Sequence, residues 1–280
     1  MNKSTGSIRR CEFVALVATY NRLEKTRTII DQLINYIENE NLSCVIVVVD
    51  NNSTDGTAQY LSSINNRVLL PLFTPDDMYW AESMRFGYDF ISSNLSFSNL
   101  LVFNDDIEVK QDRLRDVFTR NEAVIVHNFH DEYFKHSYGG FDNKFFFTHL
   151  YQVPVQPKDD RYCEVFTCNM NLVVIPFPVI QKIGFLADYF IHRGADTEWG
   201  IRCSKAGFKI LIPNFYVGLC NRNPCDHSPS DPNLSAWHRL KILTSKKYLP
   251  ISMWFRYSRN YGGVFWPILF FVPYLRAVLK

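Results

Sequence analysis

The sequence predicts an α/β fold in which a mostly parallel sheet is covered by helices on both faces. Two observations carry that prediction. Apolar runs too short for helices alternate with segments whose apolar residues recur at helical spacing, and each run stops at a cluster of hydroxyl, amide and carboxylate side chains. A hydrophobic content of 47%, with 15% aromatic residues, suffices to build one large core or two coupled ones from 280 residues.

Phe13-Val14-Ala15-Leu16-Val17-Ala18 reads as a buried strand closed by the polar loop Thr19-Tyr20-Asn21-Arg22. Residues 24–38 then place Ile29, Ile30, Leu33, Ile34 and Ile37 on one face of a helix, with charged and amide groups opposite. Residues 44–49, rich in β-branched side chains and closed by Asp50, form the second strand. Asn51-Asn52-Ser53-Thr54-Asp55-Gly56 has turn chemistry, with Ser53 or Thr54 as cap of a helix running to Ser63. A third strand over 68–73, a helix over 81–92 and a fourth strand over 100–103 complete the regular half. Beyond residue 111 aromatic-rich segments and the breaks at Pro154 and Pro157 interrupt the pattern, and this half is expected to build the second wall of a crevice.

Ligands of such sheets gather at the carboxyl ends of the strands. Three polar clusters fall there: residues 19–22, residues 50–55 and Asn104-Asp105-Asp106. A desolvated aspartate pair repels itself unless a cation or hydrogen-bond donors neutralise it, so the last cluster suits a divalent metal carrying a phosphate. A solvated turn after an ordinary strand is the plain alternative for that motif taken alone.

A net charge of +2 argues against a dedicated nucleic-acid binder. Seven cysteines, odd in number and scattered, with no C-x-x-C pair, suit a reducing compartment better than a disulfide framework. The polar, basic N-terminal decapeptide has no apolar signal core, which gives the expectation of an unprocessed cytoplasmic protein.

In their order, Val17-Ala18-Thr19-Tyr20-Asn21-Arg22, Val48-Val49-Asp50-Asn51-Asn52-Ser53-Thr54-Asp55-Gly56-Thr57 and Phe103-Asn104-Asp105-Asp106 resemble the signatures of glycosyltransferase family 2. That is an inverting family with the Rossmann-like GT-A fold, and the resemblance covers roughly the first 220 residues. It implies that Thr19, Tyr20, Arg22, Asp50, Asn52 and Asp105 hold the nucleotide, and that the aspartate motif binds Mg²⁺ or Mn²⁺ on the diphosphate. Asp106 is the expected direct ligand, with Asp105 at the ribose or at an outer-shell water. These roles agree with the chemistry of the side chains. Asp50 can accept a hydrogen bond from a uracil or thymine imide, and a metal on the diphosphate offsets charge on the leaving nucleotide.

The segment containing Trp80 and Arg85 is similar in position to the family's Gly-rich helix start beside the donor sugar and diphosphate. Arg85 either pairs with diphosphate through its fork of donors or is a surface arginine on an amphipathic helix. His192-Arg193-Gly194-Ala195-Asp196-Thr197-Glu198-Trp199 resembles the family's Glu-Asp-type motif and puts Asp196 at the position of the catalytic base. Direct displacement needs a single base opposite the leaving group. Glu198 is the alternative base or an acceptor-positioning residue, and Asp196 or Thr197 can also simply cap the helix that follows. His227, in Cys225-Asp226-His227-Ser228, corresponds to a further metal ligand in some relatives, one that would favour Mn²⁺; a polar loop residue is the alternative.

These readings divide the chain into a GT-A catalytic domain over 1–220, with a nucleotide-binding half (11–110) and an acceptor-binding half (111–220), and a helical, aromatic-rich extension over 221–280. From residue 251 aromatic side chains interleave with Arg256, Arg259, Arg276 and Lys280, a composition suited to the interface of an anionic bilayer; packing on the catalytic domain is the alternative. The expected function is metal-dependent, inverting transfer of a sugar from a UDP- or dTDP-linked donor to a lipid-linked glycan of a bacterial surface polysaccharide, such as O-antigen or capsule. The site of action would be the inner face of the plasma membrane. A nucleotidyltransferase shares the sheet and carboxylates but would need a Gly-rich phosphate loop after the first strand, and that loop is missing from the sequence. A non-catalytic glycan- or membrane-binding scaffold is the third reading.

Overall fold

The computed structural model describes residues 9–119, 121–158, 162–222 and 226–279. Most of the N-terminal decapeptide, and Cys225, lie outside the described residues. The regular half of the central sheet comes from β1 (Arg9–Thr19), β2 (Cys44–Asp50), β3 (Leu69–Phe73) and β4 (Leu95–Phe103). These strands are mutually parallel, in the order β4-β1-β2-β3.

Both faces of this sheet are covered, which is why every residue of β2 is buried and apolar up to Asp50. Alternate side chains of β1 serve two cores. Phe13, Ala15 and Val17 pack with Ile29, Ile30 and Leu33 of α1 (Leu23–Asn39) and Leu61 of α2 (Thr57–Ser63). Val14 and Leu16 pack with Ala81, Met84 and Ile91 of α3 (Trp80–Asn94). Gly87 makes the second contact possible: a Cβ there would lie 2.5 Å from a Leu16 methyl and 2.7 Å from a Val49 methyl.

Two local expectations change. β4 starts five residues earlier than its apolar run, because Leu95 and Phe97 alternate with exposed Ser96 and Ser98 before both faces become covered. Neither Ser53 nor Thr54 caps α2, whose N-cap is Gly56; both are held instead by Asn21 of the first loop, and the Asp55 carboxylate accepts from the Thr57 backbone.

Past β4 the sheet turns mixed. Leu172–Pro176 runs antiparallel along β4, followed outward by Val124–Val126, Ile210–Ile212 and Cys163–Val165, to make eight strands in all. A three-stranded and a four-stranded sheet from the irregular half stand beside it.

The C-terminal region forms helices Ala236–Leu243, Ile251–Tyr261 and Trp266–Leu279. Met253, Trp254, Tyr257 and Tyr261 are buried in the same core as α3, so this region packs one face on the body built around the central sheet. Trp266–Leu279 stays helical through Pro273, and among the described residues no helix is long and apolar enough to cross a membrane.

Candidate active site at the carboxyl edge of the sheet

Because β1, β2 and β4 are parallel, their polar ends lie at one edge. Thr19 and Asp50 stand side by side in register, and the Asn51 amide continues the pairing onto the Thr19 carbonyl at 2.9 Å. The first two loops are stitched together here. Asn21, in the left-handed conformation, receives the Thr54 amide on its side chain (2.7 Å) and donates its own amide to the Ser53 hydroxyl (2.8 Å). Asp50 is buried; its Oδ2 accepts from the Ser53 amide at 3.1 Å, whereas Oδ1 has no partner among the described residues. A buried carboxylate oxygen left open in this way can accept from a ligand or from water.

The aspartate pair is organised by Arg22. One guanidinium nitrogen, Nη1, donates to Asp105 Oδ1 at 2.8 Å and to Asp106 Oδ2 at 3.0 Å. Asp105 is 3% exposed, and its other oxygen accepts from the Thr26 hydroxyl, which in turn meets the Thr19 hydroxyl at 2.7 Å. Burial raises the Asp105 pKa, partly countered by Arg22. Asp106 is more open, and its Oδ1 lacks a partner among the described residues.

This donor set fits a divalent cation. Arg22 neutralises one of two negative charges, leaving one unsatisfied hard oxygen on Asp106 to act with the oxygens of a diphosphate and water, the ligands that Mg²⁺ and Mn²⁺ accept. Among the described residues, no group of three or more His, Cys, Asp or Glu side chains is arranged to hold a metal by itself. His227 therefore does not join Asp105 and Asp106 in such a group; its turn folds instead onto Asp231, whose carboxylate accepts the His227 amide at 2.8 Å.

Asp196 reaches this edge through two consecutive residues. Its carboxylate accepts the amides of Thr197 (2.8 Å) and Met170, while the next carbonyl, of Asn171, accepts the Asn104 amide at 3.0 Å. Burial raises the Asp196 pKa, and these two amides and Arg193 only partly counter it. The carboxylate thus keeps more basicity than a solvated aspartate. It sits in the first turn of helix Ala195–Lys205, whose N-cap is Gly194, so neither Asp196 nor Thr197 is the cap.

A sequence model of glycosyl transferase family 2 matches residues 14–162, just over half of the chain. The chain belongs to that family. No curated protein sequence matches it. Among solved structures it resembles the mannosyltransferase PcManGT from Pyrobaculum calidifontis in complex with GDP-Man and Mn²⁺, at 14% identity and a TM-score of 0.55, over 96% of this chain and 69% of that one. It also resembles GalNAc-T7 with UDP, GalNAc and Mn²⁺ (12%, TM-score 0.52, 83% and 47%) and S. aureus TarS 1-349 in complex with UDP-GlcNAc (13%, TM-score 0.53, 87% and 66%). These likenesses show the fold, and the chain spans about half to two thirds of the length of those proteins.

The other residues expected to act in this family 2 chain have diverse surroundings. Arg85 donates to the carbonyls of Ala187 (3.0 Å) and Phe190 (2.7 Å), bracing α3 against the segment that leads to Asp196. Glu198 is 2% exposed; its Oε1 accepts from Arg202 Nε and the Tyr261 hydroxyl, and its Oε2 accepts from the same Nε. Trp80 donates its indole N–H to Asn104 Oδ1 at 3.0 Å, which ties the α3 start to the aspartate motif. Tyr20 is exposed at the rim, and Asn52 faces Asp77 at 3.5 Å.

Two organising residues escaped the sequence reading. Asn51 holds the chain at Met78 by both backbone groups and also accepts from the Thr74 hydroxyl, so it shapes the entry to α3. Thr26 is fully buried on the apolar face of α1, one turn before Ile29 and Ile30, and a hydroxyl on that stripe was its only signal.

Proposed function

We propose that this family 2 protein is a metal-dependent inverting glycosyltransferase that moves a sugar from a nucleotide-diphosphate donor to a lipid-linked glycan acceptor in bacterial surface-polysaccharide synthesis. The observation that carries the reading is the grouping at one sheet edge of an open buried carboxylate oxygen on Asp50, the Arg22-bridged Asp105 and Asp106, and Asp196 connected through Met170 and Asn171. The nucleotide complexes of the structural neighbours support the same class of donor.

Asp50 Oδ1 would accept a hydrogen bond from the base, a uracil or thymine imide in the favoured case. Arg22 would stay on the aspartates or turn one arm to the diphosphate. Asp106, with Asp105 behind it, would hold Mn²⁺ or Mg²⁺, which when bound offsets negative charge on the departing nucleoside diphosphate. Asp196 would take the proton of the acceptor hydroxyl as the hydroxyl oxygen bonds to the anomeric carbon and the bond to the diphosphate oxygen breaks on the opposite side. Its burial suits that role, since a base needs a pKa above that of a solvated carboxylate.

The test is incubation with UDP- and dTDP-sugars, a lipid-linked acceptor and Mn²⁺. Release of nucleoside diphosphate and its suppression by EDTA are expected; release of pyrophosphate would mean nucleotidyl transfer instead. Turnover that survives both EDTA and Asp106→Ala would remove the metal from the reading.

A further inference from the structure

We propose that two chain segments far apart in sequence, the hairpin tip Phe145-Phe146-Phe147 and the last helix, form one continuous face that docks flat on an anionic lipid bilayer. This deepens the acceptor assignment above and rests on it for its biological sense, but not for its geometry.

The last helical segment turns apolar side chains outward. Val264, Ile268, Phe271, Leu275 and Leu279 recur at spacings of three and four, and all are exposed, Val264 at 84% and Ile268 at 68%. The apolar stripe that normally faces a core here faces water. The inner side of the same region is already satisfied, with Phe270 against Phe255 and the Trp254 indole donating to the Phe270 carbonyl at 2.9 Å. The outward stripe is therefore not a displaced core face.

The hairpin between strands Gly140–Phe145 and Thr148–Pro154 extends this stripe. Phe146 at its tip is 97% exposed, and Phe147 makes an edge contact with Phe265 at 5.5 Å between ring centres. Gly263 permits the join: its φ is +63°, and a Cβ there would meet the Phe147 carbonyl oxygen at 2.2 Å. A solvated loop has no reason to carry three successive phenylalanines unless something apolar receives them.

The charge identifies what receives them. Residues 232–280 contain eight Lys or Arg and no Asp or Glu, although the whole chain carries only +2. Lys144 and Arg276 flank the face itself, over the rings of Phe145 and Tyr151. An apolar stripe rimmed by cations matches a bilayer with acidic headgroups, in which phenylalanine and leucine enter the acyl boundary and the cations meet the phosphates. A second copy of the chain would bring the same positive region against itself, which like charges oppose.

The experiment is sedimentation of the full chain with vesicles of phosphatidylcholine alone and of phosphatidylcholine and phosphatidylglycerol in equal amounts. Binding to the anionic vesicles, weakened by salt, is expected. Phe146→Glu and Ile268→Glu, on separate segments, should each weaken it about tenfold or more, with unchanged circular dichroism and unchanged release of nucleoside diphosphate from the donor when the acceptor is water-soluble. No vesicle binding, equal binding to neutral vesicles, or indifference to Phe146→Glu would overturn the proposal, as would a dimer that Ile268→Glu dissociates. Vesicle binding without glycosyl transfer would leave this face standing and remove the catalytic reading; transfer without vesicle binding would do the reverse.

Discussion

The Tyr261 hydroxyl donates a 2.7 Å hydrogen bond to Glu198 Oε1, joining the end of helix Ile251–Tyr261 to the helix that carries Asp196. Arg202 holds both oxygens of the same carboxylate at 3.0 Å from Nε, while its other nitrogens donate to the carbonyls of Ile183 and Phe185. The C-terminal region is thus part of the scaffold that sets the candidate base.

Tyr261→Phe should cost about 2 kcal/mol of stability, the value of a buried hydrogen bond to a charged group. Glu198→Gln should behave similarly, because both changes loosen one network. Urea denaturation reads the cost. Transfer should fall less than tenfold in either variant, about the range of a positioning defect and below the loss of a base; a loss in Glu198→Gln as large as that in Asp196→Asn would make Glu198 the base.

Asp196→Asn should reduce transfer by about 10²–10⁴ and leave nucleotide binding nearly intact, since the amide keeps the shape but not the proton acceptor. With Asp196 as the proposed base, its raised pKa should place the acid limb of the rate profile above the ordinary aspartate range. The active form is the deprotonated one, so the rate rises with pH through that limb. Measuring kcat against pH with saturating donor checks the direction.

Arg22→Gln leaves Asp105 buried beside Asp106 without its cation. The expected cost is about 2 kcal/mol, below that of a fully buried pair because Arg22 is itself partly in water. Added Mn²⁺ with nucleoside diphosphate should restore part of the loss in thermal melts, since the metal supplies positive charge at that edge and the diphosphate adds oxygens that help hold it. A variant as stable as the parent would mean that Asp105 takes up a proton at no cost.

His127 is buried, neither ring nitrogen has a partner among the described residues, and burial lowers its pKa to about 4. Between pH 6.5 and about 4 the unfolded chain binds a proton that the folded chain refuses. Stability is therefore complete above the upper value and declines as pH falls across the window, by up to about 3 kcal/mol from this residue. His127→Leu should flatten the dependence of denaturation midpoint on pH over that range. His192, lowered to about 4 by burial and then by Lys247, Arg193 and Arg22, acts in the same direction.

The parallel half of the fold was legible because its strands are buried on both faces. Runs such as residues 44–49 need no partner information to be read, and each ends in polar side chains where the strand leaves the core. Order along the chain then placed three loops on one edge, since parallel strands share their carboxyl ends. The irregular half lacked this regularity. Its short strands draw their pairing from Leu172–Pro176 lying antiparallel on β4, a contact between segments about seventy residues apart.

Residue order alone supplies the candidates for the chemistry: the three loop signatures, the aspartate pair and two carboxylates near residue 196. How each of them is surrounded follows from the packing of distant segments. Asp196 and Glu198 are two residues apart, so on a helix their side chains leave in nearly opposite directions, and the docking of that helix turned one toward the Met170 amide and the other toward Arg202 and Tyr261. In the same way Arg22 meets carboxylates more than eighty residues away, and the Phe145-Phe146-Phe147 tip meets the turn that leads into the last helix, more than a hundred residues downstream. Local periodicity fixes the face a side chain occupies on its own element, but what that face meets depends on how the elements pack.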